Sequence, residues 1–185
     1  MNRFQSFRWA CLRPVRPGVA VTVMLALSAV GATAQNPPAA GVSAAATAVS
    51  VGGDVPRPFT LTLDDLKAMP HTTVTVDAEG KTTTYEGVLL GEVLKRAGAP
   101  LGRELSGKAV ASYIRATATD GYEAIFALAE ADPAFTGSEL IIAFAIDGKA
   151  LFDYQGPMRI VAPHDKRSAR SVRMLKSIEV VQTVK

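Results

Sequence analysis

A Gly-Pro step at Gly156-Pro157 stands immediately before a short apolar run at 158–162. Proline presets φ near about −65° and glycine accepts positive φ, so this step predicts a defined turn that leads into a buried strand. Pro163 ends the predicted strand, because proline cannot donate a ladder hydrogen bond. A segment with a defined turn, an apolar interior and a fixed end has few ways to pack, and it constrains the rest of the chain.

Cationic side chains cluster in and directly after this strand. Residues 148–173 contain six lysines and arginines and one of the two histidines. The candidate ligand-binding residues are Arg159 in the strand and His164, Lys166, Arg167, Arg170 and Arg173 in the loop. Guanidinium groups pair with carboxylate and phosphate, so we predict a site for a small anion or an acidic partner. The alternatives are an outward Arg159 paired with an acid such as Asp153, and a solvated charged loop.

The first 34 residues have the pattern of a cleaved secretory signal. Four arginines and no acid come first, an apolar stretch of about 13 residues follows at 18–30, and 32–34 (ATA) fits the cleavage rule. That stretch is shorter than the roughly 20 residues that span a bilayer, although an uncleaved anchor is the alternative. We predict a signal at 1–34, a flexible tether at 35–47 and a folded domain at 48–185, periplasmic or secreted and without a membrane span after cleavage.

Cleavage would change both the charge and the sulfur chemistry of the chain. Four of the 20 basic residues and none of the 17 acidic residues lie in the signal, which leaves a mature net charge of −1. The excess of basic residues therefore belongs to the signal, and we predict no nucleic-acid partner. Cys11 is the only cysteine, so the mature chain has no thiolate and no disulfide. His71 and His164 are far apart in sequence, and we predict no metal site.

Short β-rich runs and hairpin turns dominate the folded domain. Asp120-Gly121 and Asp147-Gly148 stand between such runs and predict hairpins, although Asp120 and Tyr122 could instead form a pocket rim. The nearly unbroken apolar run at 139–146 predicts a central strand buried on both faces. The predicted strands are 48–53, 72–76, 81–85, 109–116, 122–128, 139–146, 158–162 and 177–182.

Two helices are predicted between these strands. Thr62 can cap the first, two aspartates in its first turn suit the helix dipole, and Pro70 stops it. Gly87 opens the second at 88–97, and Gly98 occupies the usual stop position. Hairpins outnumber βαβ units, so the chain is predicted to be an α+β or mostly-β domain. Ser168 and Ser171 near His164 lack a spacing that fixes a base, and we predict no catalytic residue.

Five motifs follow one another in a fixed order along 48–185. They are 59–66 (FTLTLDDL) with 69–70 (MP), 85–98 (YEGVLLGEVLKRAG), 118–122 (ATDGY), 147–151 (DGKAL) and 156–163 (GPMRIVAP) before the basic loop. Together they resemble the molybdopterin-binding domain of the sulfite oxidase family. The resemblance implies an α+β sulfite oxidase-type molybdopterin-binding fold, with a mixed, mostly antiparallel β-sandwich-like core and two short helices.

The resemblance also implies how catalytic members hold molybdenum: through the dithiolene of a pterin and one protein cysteine, in the strand before the second helix. Here that strand has Thr75 near the thiolate position, and a hydroxyl is a poor substitute for a soft anionic sulfur. Members that carry the cofactor outside the cytoplasm are implied to use a twin-arginine signal, whereas no two arginines are adjacent in 1–34. Both departures favour a retained fold without the molybdenum chemistry.

We therefore predict a binding module that takes a small anion, a pterin-like compound or a periplasmic protein partner. No bound cofactor is expected, with molybdopterin as the alternative. A second hypothesis is a molybdopterin-dependent oxidoreductase with an atypical metal site. A third is a structural subunit of a redox complex that contacts its partner through the basic loop.

Overall fold

The computed structural model of the chain describes residues 48–78, 80–137 and 139–183. The predicted signal at 1–34 and the predicted tether at 35–47 lie outside these ranges. Within them, no helix is both long enough and apolar enough to cross a bilayer.

Ten strands and three α-helices lie in the described ranges. The strands are β1 (Ala48–Gly53), β2 (Phe59–Thr62), β3 (Thr72–Ala78), β4 (Lys81–Leu89), β5 (Tyr113–Ala118), β6 (Glu123–Ala127), β7 (Ile141–Ile146), β8 (Lys149–Ala150), β9 (Arg159–Val161) and β10 (Leu175–Val181). The helices are α1 (Leu63–Ala68), α2 (Leu90–Ala97) and α3 (Pro133–Thr136), with short 3₁₀ turns between strands. The predicted α+β class agrees with this composition, and α3, a single turn, adds to the two helices that the sequence predicts.

The strands form two five-stranded sheets. The first has the order β2-β1-β10-β5-β6, in which β1 and β10 are parallel and the other pairs are antiparallel. The second has the order β3-β4-β7-β8, and β9 also pairs with β7. Every pair in the second sheet is antiparallel. The first sheet is therefore mixed, and the strand pairing as a whole is mostly antiparallel, as predicted.

Strand β7 is the buried centre of the second sheet. All six of its residues are buried, which confirms the prediction from the apolar run. Ile142 belongs to the large core that also contains the inner faces of the first sheet and of α2, whereas Ile141 packs into a smaller cluster with Tyr85 and Val161. Because a strand alternates its side chains, β7 separates two apolar layers and fixes the position of each strand beside it.

Strand β4 continues through Gly87 and Val88, so the second helix begins at Leu90 and not directly after Gly87 as predicted. A Cβ at Gly87 would lie 2.3 Å from the carbonyl oxygen of Ile142, so the glycine allows the backbone of β7 to approach closely. The end of the helix is as predicted, with Gly98 in the left-handed region at φ 80°.

The predicted strand at 109–116 is also shifted. A 3₁₀ turn occupies Gly107–Ala111, and β5 begins only at Tyr113. Gly107 adopts φ 55°, which a turn uses and an extended strand does not. The carbonyl of Ser112 then accepts a hydrogen bond from the backbone N–H of Leu128 at 2.9 Å, which ties the start of β5 to the end of β6.

The cap of α1 gives a first testable expectation. Thr62 Oγ1 accepts from the backbone N–H of Asp65 at 3.1 Å, and the Asp65 carboxylate accepts from the backbone N–H of Thr62 at 3.2 Å. Thr62→Ala should therefore lower the free energy of unfolding by about 1 kcal/mol. Denaturant titration measures this loss, with Thr60→Ala on the exposed side of β2 as the control. An equal loss in both variants would contradict a specific cap.

The effect of the cap should depend on pH. The hydrogen bond from the Thr62 side chain lowers the pKa of Asp65 from its ordinary value, because it favours the charged carboxylate. A lowered folded-state pKa contributes stability above the unfolded-state pKa, and the contribution is lost as the pH falls through the folded-state value. The difference between the wild type and Thr62→Ala should consequently shrink in acid.

Candidate functional site

Arg159 lies at the start of the short strand β9, and the backbone of this strand is fixed by β7 on one side and by the segment at Val172 on the other. It pairs with Ala143 of β7. The next residue, Ile160, donates its backbone N–H to the carbonyl of Val172 at 2.9 Å. The turn before the strand contains a cis Gly156-Pro157 bond, and a Cβ at Gly156 would lie 2.7 Å from the Cβ of Leu151. The predicted turn and strand are therefore present, and they fix where the arginine stands.

The guanidinium of Arg159 is buried and has no acidic partner in the part of the chain that the structure describes. The residue is 6% exposed. Its Nη1 donates to Gln155 Oε1 at 2.6 Å and makes a long contact of 3.4 Å with the hydroxyl of Tyr85. Its Cζ lies 5.0 Å from the centroid of the Tyr85 ring. The outward orientation with a partner such as Asp153 is therefore not what the structure contains.

The Nε side of the Arg159 guanidinium is unbonded within the described ranges. Its Nε is buried and has no hydrogen-bond partner among the described residues. Burial lowers the pKa of Arg159 from its ordinary value, Tyr85 opposes this, and the positive charge of Arg173 lowers it further. A buried cation with an unused donor is costly unless a group outside the chain supplies the missing acceptor.

Arg159 faces a cleft of about 520 Å³. The cleft is lined by residues from the second sheet, from the hairpin at 118–122 and from the segments before and after β9: Val76, Thr83, Tyr85, Ala118, Asp120, Tyr122, Gln155, Arg159, Val161, Ser168, Ala169, Ser171 and Arg173. Apolar groups, hydroxyls and two arginines therefore share one concave surface of the size that small-molecule sites have.

The hairpin at Asp120-Gly121 serves both of the roles that the sequence left open. Gly121 adopts φ 85° in the turn, and Asp120 Oδ1 accepts from the backbone N–H of Tyr122 at 2.9 Å. Asp120 and Tyr122 also line the cleft. The Tyr122 hydroxyl donates to the carbonyl of Ala169 at 2.5 Å, which joins the hairpin to the basic loop across the cleft.

Arg170 is occupied by two acids of its own chain. Its Nε and Nη2 donate to the carboxylate of Asp165 at 2.8 and 2.7 Å, and its Nη1 donates to Glu130 at 2.9 Å. Its Cζ lies 5.0 Å from the centroid of the Phe126 ring. The hydrogen bond to Asp165 is the largest cause that raises the pKa of Arg170 well above its ordinary value. Arg170 therefore clamps the loop to the end of the first sheet.

The structure separates the six predicted ligand-binding residues. Arg159 and Arg173 line the cleft together, whereas Arg170 forms the clamp. His164, Lys166 and Arg167 are exposed and do not line the cleft. Within the described part of the chain, Lys166 and Arg167 have no ion-pair partner. The loop thus presents one arginine to the cleft and a separate group of exposed cations to solvent.

Sequence reasoning missed Gln155 and Tyr85, which hold the Arg159 guanidinium. Gln155 directly precedes the Gly156-Pro157 turn, so its place beside the strand start could have been found from the turn itself. Tyr85 is distant in sequence and reaches Arg159 only because β4 and β9 both pair with β7. A contact across three strands has no local pattern that would predict it.

The family's metal chemistry fits these residues poorly. Thr75 is exposed, and strand alternation places it on the opposite face from Val76, which lines the cleft. The residues that the structure describes contain no group of three or more His, Cys, Asp or Glu side chains that could hold a metal ion. The lining of the cleft therefore offers guanidinium donors to an anionic group such as a phosphate or a carboxylate, and no thiolate to molybdenum.

Two comparisons with known proteins bear on this arrangement. A family profile described as oxidoreductase molybdopterin binding domain matches residues 35–185. Among solved structures, the chain is similar to the sulfane dehydrogenase SoxCD from Paracoccus pantotrophus, with a TM-score of 0.58 and 18% sequence identity. At this low identity the match shows a shared fold alone. It covers 74% of this chain and 38% of that chain, so this chain spans well under half of the length of SoxCD. No curated protein sequence matches the chain.

Proposed function

This chain belongs to the oxidoreductase molybdopterin binding domain family, and on that premise we propose that it is an exported binding module without molybdenum catalysis. The resemblance to the sulfite oxidase-type domain and the α+β fold that the sequence predicts are both confirmed. The proposed ligand is a small organic anion or a pterin-like compound, bound in the cleft at Arg159.

The observation that carries the proposal is the buried guanidinium of Arg159. It has one strong acceptor, Gln155, and a free buried Nε. Natural cores rarely retain a buried charge without an ionic partner. An anion in the cleft would supply that partner, and the charge-assisted hydrogen bonds would stabilise the complex. Neutral cofactors would leave the charge uncompensated.

The proposed lack of molybdenum catalysis follows from the ligand chemistry of the chain. The only cysteine of the sequence is Cys11, inside the predicted signal. Val76 occupies the cleft face of β3, and its isopropyl group cannot coordinate a metal. Molybdenum bound through a protein sulfur would therefore need a ligand that the mature chain lacks.

The first experiment is the molybdenum and pterin content of the mature protein, purified from the periplasm of its native host. We expect molybdenum far below one atom per chain by elemental analysis. Fluorescence of the oxidised pterin, read against protein concentration, separates a bound pterin from another anion. Arg159→Gln, purified in parallel, is the control for adventitious pterin. Near-stoichiometric molybdenum in the wild type would overturn the proposal and support the oxidoreductase with an atypical metal site.

A protein partner is the second candidate function, and the exposed cations Lys166 and Arg167 favour it. Neither has an acid partner among the described residues. Exposed charges of one sign steer and orient an oppositely charged partner. Such a partner would be an acidic protein that docks beside the cleft, and its binding should weaken steeply with salt. Cross-linking in intact cells, followed by lysis and purification of this protein, would identify the partner.

A further inference from the structure

We infer that the ligand of the cleft carries two separate anionic groups joined by a short hydrocarbon spacer, with one group bound by Arg159 and the other by Arg173. The inference rests on the proposed function, and it specifies the ligand class as organic dianions. Dicarboxylates and carboxylate-phosphonates share this chemistry.

The inner anionic position is defined by Arg159. Its guanidinium is a planar fork with donors on Nε and both Nη atoms, suited to a bidentate carboxylate or phosphonate. Gln155 and Tyr85 use Nη1, and Nε is buried without a partner. The unused donor lies on the fork beside Nη2, so the structure leaves one bidentate edge for an incoming oxyanion.

The outer anionic position is defined by Arg173. This residue is exposed, lines the same cleft, and has no ion-pair partner among the described residues. Its charge contributes to the lowered pKa of Arg159, so the two cations interact across the cleft. A single anionic group at Arg159 would leave the charge of Arg173 unpaired, whereas a second group would compensate it.

The surface between the two arginines favours a hydrocarbon spacer. Val76, Ala118 and Val161 line the cleft with apolar groups. The volume of about 520 Å³ is far larger than the roughly 30 Å³ share of one water molecule, so a single inorganic oxyanion would leave most of the cleft hydrated. Asp120 is the one lining carboxylate, and the backbone N–H of Tyr122 already satisfies one of its oxygens.

Calorimetric titration at fixed ionic strength tests the inference. The probes are glutarate, adipate and 2-carboxyethylphosphonate as dianions, and pentanoate as the monoanion of matched size. We expect the best dianion to bind roughly fivefold more tightly than pentanoate, the size of effect that one partly exposed charge pair gives. The spacer length of the best-binding dianion reports the separation of the two anionic positions. Tighter binding of 2-carboxyethylphosphonate than of the dicarboxylates would show that one of the two positions prefers a phosphonate to a carboxylate.

Variants assign the two positions. Arg173→Gln should remove the preference for dianions, so that the best dianion and pentanoate bind this variant with similar affinity. Arg159→Gln should weaken all probes by roughly 30-fold, because it removes charge-assisted hydrogen bonds in a buried position. Arg167→Gln, an exposed arginine of the same loop outside the cleft, is the matched control and should bind like the wild type.

The outcomes separate this inference from the proposed function. Equal affinity for glutarate, adipate and pentanoate, with no effect of Arg173→Gln, would overturn the inference that the ligand is a dianion. If binding still depended on Arg159, the proposed anion-binding function would stand. If the wild type bound none of the probes and no inorganic phosphate, the proposed anion function would fail as well. Circular dichroism of each variant checks folding, and if Arg159→Gln does not fold, the Arg173→Gln comparison alone decides.

Discussion

Gly87→Ala is expected to destabilise the domain by about 4 kcal/mol, a loss that few single substitutions reach. A Cβ there would lie 2.3 Å from the carbonyl oxygen of Ile142 and 2.7 Å from the Cα of Ala143. Both atoms are backbone of the buried central strand β7, so neither can move without shifting the sheet. The φ of Gly87 is not in the left-handed region, and the cost is therefore purely steric.

Denaturant unfolding of Gly87→Ala measures this effect, with Gly52→Ala as the control. A Cβ at Gly52 would meet its nearest atom, the Cβ of Pro58, at an ordinary contact distance of 3.7 Å. The control should change the free energy of unfolding by less than about 1 kcal/mol. Similar losses in the two variants would show that the close approach of β4 and β7 is not the cause.

Gly87→Ala should also reduce anion binding, although Gly87 is not in the cleft. Gly87 pairs with Ala143, and Ala143 pairs with Arg159 in the same row across the sheet. A shift of β7 away from Gly87 would therefore move the strand that carries the guanidinium. Glutarate affinity of the folded variant, set beside that of Gly52→Ala, measures this coupling.

Arg170→Met is expected to lower the free energy of unfolding by about 2 kcal/mol, between the effects of an exposed and a buried ion pair, because the side chains of Arg170, Glu130 and Asp165 are 37%, 24% and 20% exposed. The methionine would still cover Phe126. It would leave the carboxylates of Asp165 and Glu130 without their shared cation, and they would then repel each other. The loss should consequently exceed what removal of one surface ion pair gives.

A double-mutant cycle with Glu130→Gln separates these contributions. Because Glu130→Gln removes one of the two opposed charges, the double variant should be more stable than the sum of the single losses implies. Arg167→Met, the same substitution at an arginine of the same loop without an ion-pair partner among the described residues, should lie within about 0.5 kcal/mol of the wild type. Strict additivity of Arg170→Met and Glu130→Gln would contradict the shared clamp.

Local patterns in the sequence were sufficient for much of the fold. The cap at Thr62, the stop at Gly98, the turns at 120–121 and 147–148 and the buried strand at 141–146 each follow from a few adjacent residues. The class of the domain follows from their order. The start of the second helix could not be predicted in this way, because Gly87 allows two strands that are distant in sequence to approach closely and does not begin a helix.

The candidate site shows the same division. The turn at Gly156-Pro157 and the strand after it place Arg159 correctly, and local sequence contains both. Which cations of the loop line the cleft depends on residues that are distant in sequence. Arg170 forms an ion pair with Glu130, whereas Arg173 lines the cleft. A run of basic residues cannot reveal this, since its members have the same composition and differ only in what the fold brings beside them.

The buried Arg159 has a thermodynamic consequence for detecting whatever occupies the cleft. An anion that binds the folded chain and not the unfolded chain raises the free energy of unfolding by RT ln(1 + [L]/Kd), about 2.7 kcal/mol at a hundredfold excess over Kd. Melting temperature therefore becomes a reporter of occupancy that needs no knowledge of a reaction. In the cell, the same linkage would make the lifetime of the protein against proteolysis rise with the concentration of its ligand.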